Sequence, residues 1–173
     1  GEKSGTLISK AVSTAGSELN ILVNNASVFE EALLMHITEE DVFRNIGLHA
    51  LTPLTLSRTF AAQCGSGGQI INMLDTRVFD YDREHAAYHL SKRMLFTLTR
   101  MLAVEYAPDV RVNAIAPGLV LPPPGEDETY LEKRIDSVPL QRHGSAEDIA
   151  AAARFLACSG FITGQVIFVD GGR

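Results

Sequence analysis

IINMLDTRVFDYDREHAAYHLSK, residues 70–92, passes from an apolar run through a polar loop into a helical pattern. The run Ile70-Ile71-Asn72-Met73-Leu74 reads as a strand buried on both faces, as in a parallel α/β sheet. Asp75 follows at its carboxyl end, where open α/β sheets place their ligands. From Ala86 the pattern is helical, with Tyr88 and Lys92 four residues apart. At that spacing a phenol and an ammonium share one helix face. A free phenol titrates near about 10 and transfers protons poorly at neutral pH. A nearby cation and the positive end of a helix both favour the phenolate. The spacing therefore predicts a Tyr88 with a lowered pKa, able to pass a proton to or from a reacting oxygen or nitrogen. A Tyr-x-x-x-Lys alone is a weak signal and reads first as an ordinary solvated helix face.

Working outward, four more blocks fall in order around it. LNILVNNAS (19–27) is a strand ending in Asn-Asn-Ala-Ser, and the run ending at Asp75 is a second strand. RVNAIAPG (111–118) and FITGQVIFVDGG (161–172) follow the YHLSK helix. In this order and spacing the blocks resemble the short-chain dehydrogenase/reductase family over nearly the whole chain. The resemblance implies a Rossmann-like, doubly wound parallel α/β sheet, of which residues 1–173 hold the second half in one domain. It implies that Tyr88 is the general acid/base, and that Lys92 lowers its pKa and binds the nicotinamide ribose. Asn25, Ala26 and Ser27 would lie beside the cofactor, the first two near its adenosine half; the family more often has glycine at position 27. Met73 and the backbone of Pro117, Gly118 and Leu119 would line the nicotinamide end. The implied cofactor is NADPH, with NAD left open.

Composition fits one compact domain with a real core: 173 residues, 46% hydrophobic and 21% charged. A net charge of −6 argues against nucleic acid or an anionic membrane as partner. No apolar run nears the ~20 residues of a membrane span, and no basic-then-apolar leader is seen. Cys64 and Cys158 have no metal-ligand spacing and read as separate thiols in a reducing, cytoplasmic setting. No metal site is expected. The glycine-rich fingerprint and the residue that selects NAD or NADP are not found in residues 1–173, which open at Gly1 inside a helix pattern. A strand over 19–23 without neighbours on its outer side would present an apolar edge. These points support a reading of a different class, a non-catalytic fragment or regulatory subunit.

Helices are expected over 6–15, over 38–62 with Pro53 inside, over 86–106, and after the Ser145 N-cap. Pro53 has no N–H for the carbonyl of His49. In the family that position is usually Asn, whose carbonyl holds a water that hands protons to the lysine. The resemblance thus makes the His49 carbonyl a catalytic candidate, while its side chain reads as a satisfied histidine. Gly65-Ser66-Gly67-Gly68 precedes a strand, so it is a surface turn and not a phosphate loop. LPPPGEDE (121–128) is a loop placed to cover substrate. His85, His89 and His143 show no matching partners and receive no chemistry. Leu90, Met94, Leu98 and Met101/Leu102 form a stripe that packs either on the sheet or, as the resemblance implies, in a four-helix interface of a homodimer or homotetramer.

Asp75 and Phe29 narrow the substrate. Most of the family place serine at position 75 to hydrogen-bond a carbonyl; a carboxylate would repel a developing oxyanion and suits a substrate offering N–H groups. Pteridine reductases and the dihydromonapterin/dihydrofolate-type reductases carry Asp there. INMLD, HALTP (49–53) and the ending VDGGR resemble theirs. Phe29 either caps the core or, as NNASxF implies in those enzymes, stacks on the pterin. The expected activity is NADPH-dependent reduction of a small pterin, with Tyr88 as proton donor. A carbonyl or 3-oxoacyl reductase of the same family is the alternative.

Overall fold

In the computed structural model, which describes residues 5–123 and 125–173, four strands form one parallel sheet in the order β1-β2-β3-β4. They are β1 (Ile21–Asn24), β2 (Gly68–Met73), β3 (Val110–Pro117) and β4 (Val166–Val169). The register pairs Asn24 with Asn72, Met73 with Ile115, and Pro117 with Val169, which brings all four carboxyl ends to one rim.

Helices cover both faces because the strands alternate two apolar sets. Ile70 of β2 and Val110 and Val112 of β3 pack with Ile8 of α1 (Leu7–Ala15), Phe60 of α3 (Thr52–Gln63) and Leu102 of α4 (Ala86–Glu105). Ile71 and Ile115 point to the other face and pack on Leu156, Ile149 and Ala153 of α6 (Ala146–Cys158). This two-sided burial is why β2 and β3 read as unbroken apolar runs. The doubly wound α/β class expected from the sequence is the observed one. The short α5 (Glu128–Glu132) packs Leu131 against Leu119 and Val138 over the end of β3. Of the loop expected over 121–128, Pro124 lies outside the described residues, as does the chain's opening at Gly1.

Two helix starts follow their sequence signals. Thr38 caps α2 (Glu39–Ile46) and Ser145 caps α6. Each side chain accepts from the backbone N–H three residues on, and an Asp there returns a bond to the cap's own N–H. The helix expected over 38–62 runs through residues 39–63 as α2, a wide turn over Gly47–Leu51 and α3, with helical backbone at each junction and the Thr52 N–H reaching the Gly47 carbonyl five residues back. Pro53 has no N–H for the His49 carbonyl, and it falls in the first turn of α3 directly after the wide turn, where a proline is tolerated. The α4 stripe is also resolved. Leu90, Met94 and Met101 are exposed, whereas Leu95 and Leu102 carry the packing on the sheet.

Candidate active site

At the carboxyl rim a cleft of about 680 Å³ opens between the strand ends, the start of α4 and the segment after β3. Asp75 stands directly beyond β2, and one carboxylate oxygen accepts the Arg77 N–H at 2.8 Å, capping a short turn over Thr76–Phe79. Its other oxygen accepts a hydrogen bond from the Tyr88 hydroxyl at 3.0 Å. Tyr88 lies in the first turn of α4 and is 6% exposed. One helical turn on, Lys92 is 3% exposed and its Nζ donates to the Met73 carbonyl at 2.8 Å. The ammonium lies 5.5 Å from the centre of the Tyr88 ring. The sheet end therefore positions the acid, and the helix positions phenol and ammonium together.

The electrostatics correct one expectation. The Tyr88 phenol is held well above its ordinary value, first by burial, then by the charge of Asp75 and its hydrogen bond, with a smaller push from Asp82. Lys92 does not prevail because its ammonium is committed to Met73, whereas the carboxylate touches the hydroxyl directly. Lys92 itself is pushed down to about 8 by burial, with Asp75 acting the other way. In this state Tyr88 holds its proton and shares it in the bond to Asp75.

Asn25, Ser27, Phe29, Met73, Pro117, Gly118 and Leu119 line the same cleft as Asp75, Tyr88 and Lys92. Ala26 and His49 do not. Ala26 is exposed outside it, and His49 is 1% exposed, with its ring edge-on to Tyr88 at 5.4 Å between centres. The His49 side chain is fully bonded, as expected of a satisfied histidine. Nδ1 lies 2.7 Å from Ser91 Oγ, while Nε2 lies 3.0 Å from Ser27 Oγ and accepts the Val28 N–H at 3.1 Å. Phe29 is 39% exposed and touches Tyr88 edge-on at 4.9 Å. One of its faces is already taken by His85, stacked at 3.7 Å with an interplanar angle of 14°.

His85 and His89 are not without partners, as the sequence reading had them. Both meet Asp82: His85 Nδ1 at 2.8 Å and His89 Nε2 at 3.3 Å, with Arg77 on the same carboxylate at 2.9 Å. Burial works against its charge, but the two histidines hold the Asp82 carboxyl below its usual range. The signal was present in Asp82-Arg83-Glu84-His85. An aspartate three residues before a helix N-cap can receive the following N–H groups, and Asp82 accepts those of Glu84 and His85. Asp82, Glu84 and His85 offer three possible ligand atoms within 4.8 Å of one another, but the Asp82 oxygens are already engaged by Arg77 and the histidines. The His143 ring bonds the adjacent Gly144 carbonyl at 2.7 Å. Behind the rim, Asn24 donates to Asn72 at 2.8 Å and Asn72 to Thr99 at 2.9 Å, a buried ladder joining β1, β2 and α4.

The family model described as enoyl-(acyl carrier protein) reductase matches residues 2–173. The 3-oxoacyl-[acyl-carrier-protein] reductase FabG of Thermotoga maritima is 32% identical over 173 residues, covering 96% of this chain and 70% of that protein. The dihydromonapterin reductase of Klebsiella pneumoniae is 30% identical over 168 residues, covering 95% and 70%. Among solved structures, the FolM alternative dihydrofolate reductase 1 of Brucella canis, complexed with NADP, has a TM-score of 0.89 at 33% identity, covering 97% of this chain and 67% of that one. A short-chain dehydrogenase/reductase of Serratia marcescens has a TM-score of 0.87 at 29% identity, covering 98% and 71%. With a parallel sheet of this order, a Tyr88–Lys92 pair at its carboxyl rim and a family match over essentially its whole length, the chain belongs to the short-chain dehydrogenase/reductase family of NAD(P)-dependent oxidoreductases.

Proposed function

We propose that residues 1–173 form the second half of one Rossmann-like domain that reduces a pterin, of the dihydromonapterin or dihydrofolate class, with NADPH. The observation that carries this reading is the bond of 3.0 Å from the Tyr88 hydroxyl to Asp75. It places an acid and an acceptor side by side in a cleft whose wall includes the Phe29 ring. A carboxylate at the reacting position favours a substrate with N–H groups over one that develops an oxyanion. NADP in the FolM structure and the dihydromonapterin reductase relative point the same way.

The residues present fit the nicotinamide half of the cofactor. Gly118 brings the end of β3 so close to Asp170 that a Cβ would fall 2.6 Å from the Asp170 Cα, and Pro117 and Leu119 line the cleft with it. Met73 and Lys92 also line the cleft and would meet the ribose; Asn25 and Ser27, with Ala26 between them outside the cleft lining, would lie toward the adenosine half. Nothing in residues 1–173 discriminates against NAD. When bound, the cofactor supplies a hydride. Tyr88 then gives its proton to the pterin nitrogen, Lys92 offsets the charge left on the phenolate, and Asp75 accepts pterin N–H groups. The Pro-rich segment, through Leu121, Pro122 and Pro123, closes one side.

A 3-oxoacyl or carbonyl reductase is the second reading, favoured by the Thermotoga relative. The test is an NADPH-oxidation assay of the intact protein with dihydropterins and with 3-oxoacyl or simple ketone substrates. Pterin turnover, reduced about ten- to hundred-fold by Asp75→Ser, is the expected result, equal to losing one hydrogen bond to a charged group. Ketone turnover with pterins inert, or unchanged pterin turnover in Asp75→Ser, would overturn it. No NADPH binding by the intact protein would favour the non-catalytic reading.

A further inference from the structure

Every polar bond around His49 has a fixed direction. Ser91 Oγ has a single proton, and it goes to the Tyr88 carbonyl at 2.7 Å. Ser91 must therefore accept from His49, so the imidazole carries its proton on Nδ1. Nε2 is then a bare acceptor, as the Val28 N–H at 3.1 Å requires. The Ser27 hydroxyl lies 3.0 Å from the same nitrogen and 3.4 Å from the Val28 carbonyl, and its one proton goes to the nearer acceptor, the bare nitrogen. A second proton on the ring would set N–H against N–H at Val28. Burial and the Lys92 charge both oppose that proton, holding His49 down at about 4. The two ends of this chain of bonds are not incidental. Val28 is the neighbour of Phe29, and the Tyr88 carbonyl belongs to the proton donor.

We propose that His49 is a positioning residue: locked as the neutral Nδ1–H tautomer, its ring ties the Val28 backbone to the Tyr88 backbone and so sets Phe29 against the phenol. This rests on Tyr88 being the proton donor, as the proposed reaction has it. The wide turn over Gly47–Leu51 gives the ring its place, because His49 sits at its centre with neighbouring Ala50 also fully buried. Three substitutions separate the two ends. Asn places an N–H donor near the Nδ1 position and keeps the Ser91 side. Gln reaches the Nε2 position with an acceptor and keeps the Val28 side. Phe keeps the ring and loses both.

The test joins a spectroscopic and a kinetic measurement on the intact protein. Long-range ¹H–¹⁵N spectra should show His49 with Nδ1 protonated and Nε2 bare, unchanged between about pH 5 and pH 8, where a free histidine titrates. An Nε2-protonated ring, or an imidazolium within that window, overturns the proposal. In steady state, His49→Asn should raise substrate KM about ten-fold with kcat little changed, and His49→Gln should lower kcat about ten-fold with KM little changed. His49→Phe should show both losses. Equal changes in both parameters for both amide variants, or an unaffected His49→Phe, would also overturn it. If the pterin reading fails, the wild-type protein shows no pterin turnover while the histidine spectrum keeps its tautomer, so the two failures are distinguishable.

Discussion

The charge at the centre of the site is set by two bonds: the Tyr88 hydroxyl donates to Asp75 at 3.0 Å, and the Lys92 ammonium to the Met73 carbonyl at 2.8 Å. Spacing on a helix and the Asp75 position followed from chain order alone. That the phenol bonds the carboxylate, and the ammonium a backbone carbonyl, depends on where β2 ends relative to α4, and no local pattern records that distance. The consequence is measurable at Lys92. Its pKa of about 8 means that the cation is lost as pH rises through that value, so kcat/KM should fall on an alkaline limb with an apparent pKa near 8. The stability sign is opposite. The folded pKa lies below the unfolded 10.5, so the native state holds fewer protons between the two values and stability rises with pH there. Below about 8 the buried charge costs stability. Lys92→Met should therefore lose turnover yet melt at a higher temperature than wild type near neutral pH, with the gap closing above pH 8; thermal melts across pH check both. The turn that Asp82 caps was legible in Asp82-Arg83-Glu84-His85, whereas the approach of the His89 ring, one turn along α4, depends on how that turn folds back.

At the scale of elements, β2, β3, α4 and the two capping boxes were legible because each rests on a strong local signal: unbroken apolar runs, helical period, and Ser/Thr three residues before Asp. The widened turn inside the 38–62 helix was not, since a wide turn and a simple kink leave the same mark around Pro53. Two tests belong here. Gly118 has no room for a side chain against the Asp170 backbone, so Gly118→Ala must shift the β3–β4 junction and should cost about 1–3 kcal/mol in urea unfolding, with weakened NADPH binding. Leu156 is fully buried on the α6 face, and Leu156→Ala should cost about 2–5 kcal/mol by the same measurement without altering KM, because it lies away from the cleft.

At the scale of the whole molecule, two of the apolar surfaces left exposed among the described residues bear on assembly. Ile21 and Val23 are about half exposed on β1, which pairs on one side only, with β2. Leu90, Met94 and Met101 are exposed along α4. We propose that the second surface joins copies of the protein, as the family resemblance implies. The intact protein should sediment as a dimer or tetramer, and Met94→Glu with Met101→Glu should release monomers; a wild-type monomer would refute this. No helix among the described residues is long and apolar enough to cross a membrane. The chain spans about 70% of the length of the FabG and dihydromonapterin reductase relatives, so its chemistry is best tested in the intact protein. The most direct measurement is single-turnover NADPH oxidation with a dihydropterin, wild type against Tyr88→Phe, which keeps the ring against Phe29 and His49 and removes only the hydroxyl that Asp75 holds. The account predicts a loss of at least about a hundred-fold in the chemical step with NADPH affinity preserved. A Tyr88→Phe enzyme that turns over at the wild-type rate would contradict it.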